Sequence, residues 1–265
     1  MVCGVPDRPA GCEDRDVVDA VKDVSSLVDV APRERFARVC ALTGAGISVA
    51  AGLGTFRGPD GLWTIAPEVE RAMHAHLLPA NVDALWSVWG GMWEIAAGAG
   101  PTPAHRALAA TGASVITQNI DGLHQAAGSA DVVELHGSAG RARCLDDDFC
   151  GWTGQAHEVR QGDLPGCARC TEPARPAVVL FGEMLDPEAL GEARRLVSSC
   201  DLFLAVGTSG RVAPASWLAP TARAAGAYCV NIDLHPDGPA DPAFHARVVG
   251  DAQDVLTEWA SLPSP

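Results

Sequence analysis

Lysine is nearly missing from this chain. Lys22 is the single one in 265 residues, and 33 acidic side chains outnumber 19 lysines and arginines for a net charge of −14. Phosphate-backbone binding depends on clustered lysine and arginine, so the balance argues against direct nucleic-acid binding. An acidic surface favours basic partners instead, such as lysine-bearing peptides. Also lacking is any uninterrupted apolar run of about 18 residues or more, which excludes a membrane-spanning helix. The first residues show no basic stretch leading into an apolar one, as a secretory signal would. Nine cysteines, an odd number with two close pairs, do not resemble a secreted disulfide framework. The expectation is a soluble, cytoplasmic protein.

What is present is a large apolar fraction, 48%, enough for one large domain or one large and one small. Residues 1–15 carry Gly4, Pro6, Pro9 and Gly11 and read as loose. Asp16 to Val30 places Val17, Val21, Val24 and Val28 at helical spacing and predicts an amphipathic helix ended by Pro32. Buried strands are predicted at Val39–Leu42, Ser114–Thr117, Val132–Val133, Ala177–Leu180, Leu202–Val206 and Tyr228–Ile232. Helices are predicted at Glu68–His76, Asp83–Ala97, Pro103–Ala110, Pro187–Ser199, Pro214–Ala225 and Gln253–Ala260. The alternation predicts an α/β fold, a doubly wound parallel sheet. Residues 139–175 interrupt the rhythm.

The first strand runs into Leu42-Thr43-Gly44-Ala45-Gly46-Ile47-Ser48. Gly44 and Gly46 suit a tight turn and a close approach of pyrophosphate to the main chain, with amides at the next helical turn facing the phosphates. The turn-rich stretch Gly58–Trp63 reads as a mobile loop above that site. The interruption holds Cys144 and Cys150, five residues apart in the gap, and Cys167 and Cys170, two apart. Four thiolates on two knuckles suit a structural zinc ion, although the first gap is wide. The other cysteines, Cys3, Cys12, Cys40, Cys200 and Cys229, read as inert. Gln118-Asn119-Ile120-Asp121 follows a strand's carboxyl end, where α/β folds place ligands. Asp121 could equally cap the next helix. His136, within Glu134-Leu135-His136-Gly137, can accept a proton near neutrality and is the strongest candidate of eight histidines, ahead of His124. Trp86 and Trp93 read as core packing.

Five blocks in order — the glycine turn, Thr117 to His124, Glu134 to Gly137 with the four cysteines, Phe181-Gly182-Glu183, and Gly207-Thr208-Ser209 — resemble the sirtuin family of NAD-dependent protein deacylases, of bacterial type, over roughly residues 36–260. The resemblance implies a Rossmann-like NAD-binding domain of residues 36–138 and 176–265, with a helical insertion at about 64–100. A zinc module would occupy 139–175, and 1–35 would be an extension with one helix. It implies NAD as co-substrate and one structural zinc. Gly44, Ala45, Gly46, Ile47, Thr55, Phe56, Arg57 and Trp63 would bind the cofactor. Asn119 and Asp121 would orient the nicotinamide ribose and carboxamide, and Gln118 would touch ribose. Phe56 and Ile120 would wall the nicotinamide, with Arg57 facing phosphate or developing charge. Gly207, Thr208, Ser209, Asn231, Asp233 and Ala252 would hold the adenosine half. An acyl-lysine peptide would lie between the segments holding Val179, Phe181, Gly182 and Glu183 and that holding Val212. In the implied chemistry the acyl oxygen attacks the nicotinamide ribose, nicotinamide leaves, and His136 takes a proton from a ribose hydroxyl. The products are free lysine and O-acyl-ADP-ribose.

Some positions depart from the family. Gly54 stands where proline is usual, which should loosen the cofactor loop. Thr55 resembles the desuccinylase branch, yet Trp89 and Met92 stand where that branch reads a carboxylate with Tyr and Arg. Neither is cationic, and an unpaired buried carboxylate is costly, so an uncharged acyl group is expected. The alternatives are another NAD-consuming enzyme on this fold, a mono-ADP-ribosyltransferase or NAD hydrolase, or a non-catalytic NAD-sensing module.

Overall fold

A computed structural model describes residues 21–263 except 59, 161, 163, 209, 211 and 237. Two five-residue stretches dominate the sequence's strand signal, and they lie side by side at the centre. These are β2 (Val39–Thr43) and β8 (Leu202–Val206), parallel and buried at every residue. Unbroken apolar runs of this kind are what a parallel sheet covered on both faces requires.

Chain order supplies the rest. After β1 (Lys22–Val24) and the short α1 (Leu27–Val30) comes β2, then the helical insertion of α2 (Leu62–Ile65), α3 (Pro67–Ala72), α4 (Val82–Leu85) and α5 (Gly91–Ala99), the last two joined by a π-helical turn at Trp86–Gly90. The next elements are α6 (Pro103–Ala110), β3 (Ser114–Thr117), α7 (Leu123–Ala126) and β4 (Val132–Glu134). A smaller unit follows, β5 (Gly137–Cys144), β6 (Thr153–Gln155) and β7 (Ala174–Val178). The chain then returns through α8 (Pro187–Ser199), β8, α9 (Leu218–Ala224), β9 (Tyr228–Asp233), β10 (Ala246–Val249) and α10 (Ala252–Ala260).

Seven strands form one parallel sheet in the order β1-β10-β9-β8-β2-β3-β4. One face packs Leu202, Leu204 and Val230 against Leu108, Leu256 and Trp259, from α6 and α10. The other packs Cys40, Leu42 and Phe203 against Leu196, Val197, Leu218 and Ala222, from α8 and α9. Strand order reverses beside β2, so the carboxyl ends of β2, β3, β8 and β9 open onto one crevice. No helix among the described residues is long and apolar enough to cross a membrane.

Three expectations change. The helix expected over residues 16–30 lies partly outside the described residues, but from residue 22 the chain is the edge strand β1, paired with β10, followed by the four-residue α1. Residues 22–24 are therefore part of the main sheet. Val24 of β1 and Val28 of α1 both pack against the core, which helical spacing alone does not distinguish. The strand expected at Ala177–Leu180 is displaced to β7 and runs antiparallel to β5 in the small sheet, not in the large one. The helix expected at Glu68–His76 stops at Ala72, and a 3-10 turn at Ala75–Leu77 follows. The strand β10 was not anticipated.

Helix ends are explained locally. Thr102 accepts from the His105 amide and Pro103 begins α6; Asp186 accepts from the Glu188 amide and Pro187 begins α8. At the C-terminus, Trp259 is fully buried, its indole N–H donates to the Ala31 carbonyl at 2.7 Å, and the Arg33 guanidinium lies 5.3 Å from its ring centroid. This residue therefore ties α10 to the segment after β1. Trp259→Ala is expected to cost about 3–5 kcal/mol by urea unfolding. A loss under 1 kcal/mol would show that the tie is slack.

Candidate functional site

The glycine turn owes its composition to neighbouring backbone. Gly44 is extended, at φ −131°, and Gly46 is not among the glycines with positive φ. A Cβ on Gly46 would stand 2.6 Å from the Gly207 Cα, and one on Gly44 would stand 2.8 Å from the Gly207 oxygen. The Gly46 amide donates to that oxygen at 2.9 Å, and the Gly44 amide donates to the Val206 carbonyl at 3.1 Å. Side chains are thus excluded by the chain after β8, with no special backbone angle involved. The turn leads into a 3-10 segment, Ala45–Ala51, in which Ile47 and Ser48 are buried.

The loop after β3 is held to the same place. The Gln118 amide donates to the Thr43 carbonyl at 3.0 Å, and its side-chain amide donates to Thr208 Oγ1 at 2.7 Å. Asn119 is 6% exposed, and its Nδ2 donates to the Gly44 carbonyl and to Ser48 Oγ, each at 3.1 Å. Ser48 in turn donates to Asp121 Oδ2 at 2.7 Å, while Asp121 Oδ1 accepts from the Leu123 amide at 3.0 Å. Asp121 therefore binds the start of α7, as its capping reading expects, and also joins the polar group around Asn119. Ser48, together with Thr43 and Thr117 behind it, had no assigned role from sequence. Its position inside the glycine stretch was the available signal.

His136 stands beyond β4, partly buried. Its Nδ1 is 2.9 Å from the Gln118 carbonyl oxygen. A carbonyl only accepts, so Nδ1 carries the proton and Nε2 keeps its lone pair. Burial holds the imidazole below its ordinary pKa, against the opposing effect of the Gln118 bond. The ring is consequently a neutral base at pH 7. Its main-chain oxygen accepts from the Val179 amide at 3.0 Å. The strand segment expected to receive peptide thus hangs directly on the residue expected to carry chemistry.

That segment is braced from behind. Arg175, 2% exposed, donates to the Val178 carbonyl at 2.8 Å and pairs with Glu183 at 2.5 Å, and Glu183 accepts from the Leu180 amide at 2.8 Å. Phe181 exchanges main-chain bonds with Met73 and Ala75 of the helical insertion. Gly182 lies at φ +91°. Val212 follows the end of β8, and its carbonyl accepts from the Ser216 amide at 2.9 Å.

An aromatic cluster joins this segment to the cofactor loop. Phe56 stacks on Trp63 at 5.2 Å, Trp89 meets both edge-on at 6.0 and 6.2 Å, and Trp63 meets Phe181 at 5.9 Å. Ile120, Met92 and Trp93 belong to the same apolar cluster. Trp93 covers Gly122 and Gly140, as its packing role predicts, whereas Trp86 reaches the small sheet and donates to the Ala174 carbonyl at 2.8 Å. Trp89 is 5% exposed and presents no charge. Thr55 Oγ1 donates to the Arg57 carbonyl at 3.0 Å, and the Arg57 side chain is exposed. The loop is built on main-chain bonds from Leu62 to Thr55 and from Trp63 to Phe56. Gly54 faces open space.

At the far end of the crevice, Asn231 and Asp233 are half-buried at the end of β9, and Asp233 accepts from the His235 amide at 3.1 Å. Ala252 is buried at the start of α10, where Asp251 accepts from the Gln253 amide. Gln253 donates to the Ile47 carbonyl at 3.2 Å, so α10 is fixed against the glycine turn. Ser209 lies outside the described residues.

The four cysteines converge. Cys144–Cys170 and Cys150–Cys167 sulfurs are 3.5 and 3.7 Å apart, and all four lie within 4.8 Å of one another. Tetrahedral zinc with bonds of about 2.3 Å sets sulfurs roughly 3.8 Å apart, whereas a disulfide needs about 2.05 Å. The wide first gap closes because Asp146 Oδ1 caps the Phe149 amide and its carbonyl takes the Gly151 amide, turning the chain back to Cys150. Amides of Asp146 and Arg169 donate to Cys144 and Cys167 sulfur at 3.3 Å each. Burial opposes ionisation of Cys167, but amides of Arg169 and Cys170 and the neighbouring thiols bring it down to about 7. The donor set fits one structural zinc ion with no open position.

Two expectations follow. The purified protein should carry one zinc per chain by elemental analysis, and Cys167→Ser should lose it together with several kcal/mol of stability; a metal-free wild type of equal stability would contradict the assignment. His105 and His124, held by burial at about 4 and about 3, are neutral when folded. Both lie below the unfolded value of about 6.5, so their contribution is complete above pH 6.5 and falls as pH drops toward 4 and then 3. His105 alone should remove about 3 kcal/mol across that interval, read by urea titration from pH 7 to 4, and His105→Gln should flatten the slope.

A Sir2 family model matches residues 44–214, more than half of the chain. NAD-dependent protein deacylase 2 of Archaeoglobus fulgidus is 40% identical over 221 residues, covering 81% of this chain and 86% of that protein. The NAD-dependent protein deacetylase of Haloarcula marismortui is 39% identical over 258 residues, covering 92% and 96%. A solved Sir2 homologue–NAD complex superimposes with a TM-score of 0.80 at 32% identity, covering 91% of this chain and 95% of that one. With its glycine turn, parallel crevice and cysteine-bound sheet in the same order along the sequence, this chain belongs to the Sir2 family.

Proposed function

We propose that this protein is an NAD-dependent protein-lysine deacylase acting on uncharged acyl groups, with release of nicotinamide and O-acyl-ADP-ribose. One observation carries the reading: His136, a neutral base at Nε2, is bonded through Nδ1 to the Gln118 loop and through its main chain to Val179. A base placed between a ribose-reading loop and an edge segment fits a reaction joining nucleotide and peptide. The relatives named above as deacylase or deacetylase support the activity. A Sir2 structure holding a p53 peptide and NAD, 31% identical with a TM-score of 0.70, supports a peptide substrate.

NAD supplies a sugar carbon that can give up nicotinamide and accept the acyl oxygen. The residues that would hold it run from Gly44 to Ile47 and Thr55 to Arg57 with Trp63, through Gln118 to Asp121, to Gly207 and Thr208 with Ser209, and to Asn231, Asp233 and Ala252. Asn119, with Nδ2 spent on Gly44 and Ser48, keeps its side-chain oxygen for a donor on the ligand. The Phe56, Trp63 and Ile120 surfaces exclude water from the reacting end. His136 receives a proton at Nε2 and returns it to solvent. Val179, Phe181, Gly182 and Glu183 on one side, and Val212 on the other, would receive the peptide by strand addition, which tolerates many sequences. Trp89 and Met92 would meet the acyl chain. Lacking a cation there, the pocket rejects a carboxylate.

The test is product analysis with NAD and peptides carrying acetyl-, butyryl- or succinyl-lysine. O-acyl-ADP-ribose is expected from the first two, at least tenfold faster than from the third. Faster succinyl removal would overturn the acyl reading, and free ADP-ribose formed without peptide would identify a hydrolase. His136→Ala should lower kcat by about 10²–10⁴. The acidic limb of wild-type kcat should lie below pH 6.5, because the imidazole must lose its proton before it can act and its pKa is depressed.

A further inference from the structure

Behind Asn119 runs a buried row of hydroxyls that ends on a histidine. The Asn119 amide lies 3.0 Å from Thr117 Oγ1, which lies 2.9 Å from Thr43 Oγ1, which lies 2.9 Å from His124 Nε2. Thr43, Thr117 and His124 are 0%, 3% and 1% exposed, so bulk solvent does not reach the set. Each hydroxyl has one proton to give. If Nε2 carried a proton and donated to Thr43, Thr43 would donate to Thr117, and the Thr117 proton would have no acceptor among the described residues. If Nε2 is bare, Thr117 donates to Thr43 and Thr43 donates to His124, and the ring proton sits on Nδ1, which has no partner among the described residues; in either direction His124 ends the row. With Nε2 bare, the Asn119 amide meets a Thr117 oxygen whose own proton points away from it.

A second histidine packs beside it: His105 Nδ1 lies 2.7 Å from Thr102 Oγ1 and accepts from the Thr102 amide at 3.3 Å. The two rings pack edge to face with centroids 4.5 Å apart. His105 Nε2 and His124 Nδ1 are the two ring nitrogens here without a protein partner. Packing alone would be met by a leucine or phenylalanine at either position. A histidine hydrogen-bonded through Nε2 gives Thr43 a partner that an apolar side chain cannot.

We propose that His124 is a positioning residue for Asn119, acting as the neutral imidazole that ends the Thr117–Thr43 chain. The chain fixes the Asn119 main chain from one side while Gly44 and Ser48 fix its side chain from the other. Its carboxamide oxygen is thereby held toward the ribose and nicotinamide. This rests on the deacylase reading and adds to it a residue that touches no ligand.

The experiment compares His124→Leu, His124→Gln, Thr43→Val, Thr43→Ser and the double variant Thr43→Val/His124→Leu. The readouts are deacylation of an acetyl-lysine peptide and exchange of labelled nicotinamide into NAD. His124→Leu and Thr43→Val are each expected to lower kcat and the exchange rate about tenfold, with the peptide KM within about twofold of wild type. Glutamine at 124 and serine at 43 supply an acceptor and a hydroxyl and should restore most of the rate. Because both changes cut one chain, the double variant should be no slower than the slower single. Wild-type rates in His124→Leu or Thr43→Val, losses that multiply to about 100-fold in the double, or no rescue by glutamine and serine would overturn the proposal. If His124→Leu does not fold, the Thr43→Val and Thr43→Ser pair decides it. A wild type without NAD-dependent turnover would overturn the functional reading, and this inference with it; an active wild type with unaffected variants would overturn only the role of His124.

Discussion

The constraint behind the whole site is the approach of two chain segments at the centre of the sheet. Where β2 and β8 end, the glycine turn and Gly207 come within the distance of a single missing methyl, and the Gly46 amide bonds across the gap. Any side chain at Gly46 would push these ends apart. The displacement would spread to everything seated there: Asn119, bonded to the Gly44 carbonyl; Gln118, bonded to Thr208; and α10, bonded to Ile47 through Gln253. The crevice is therefore a consequence of how closely two parallel strands can terminate. The pyrophosphate-cradle expectation rests on the same glycines, but the nearest obstacle to a Cβ is protein backbone.

From that junction the site extends by hydrogen bonds between residues far apart in the chain. Gln118 meets Thr208, Asn119 meets Ser48, and His136 meets Gln118. These bonds pair polar groups that are buried or partly buried, so loops lacking regular structure are tied to the strand ends. The outcome is a base with a defined tautomer and an asparagine with a defined free oxygen. Both are properties of the network more than of the residue types.

Much of the fold could be read from local chemistry. Thr102-Pro103 and Asp186-Pro187 mark helix starts by capping and by proline geometry, and α6 and α8 begin where those pairs stand. Val39 to Leu42 and Leu202 to Val206 are apolar on both faces and too short for helices. Misreadings arose where local pattern carries no tertiary information. Val21, Val24 and Val28 fit a helical period, yet Val24 ends the edge strand beside β10 and only Val28 lies in a helix. Ala174–Val178 has the apolar content of a sheet strand, but nothing in it states which sheet or which direction. The four cysteines and His136 were visible because their chemistry is unusual. Ser48, Thr43 and Arg175 were not, because their roles depend on partners more than 70 residues away or on burial of a type of residue that is usually exposed.

The cysteine-bound unit is closer to the chemistry than its place as an insertion suggests. β5 begins at Gly137, immediately after His136, and a Cβ on Gly137 would lie 2.0 Å from the Ala177 carbonyl of β7. The strand that leaves the base therefore pairs tightly with the strand that leads to the peptide segment, and both run on to the metal knuckles at Cys144 and, through Ala174, to Cys170. Trp86 of the helical insertion is also bonded to Ala174. A metal at the cysteines would clamp the distal ends of β5 and β7, whose pairing continues across a register shift between Ser138 and Ala142 to Gly137 and Val178. A closed, structural site thus braces one end of the antiparallel pair whose other end carries the His136–Val179 bond.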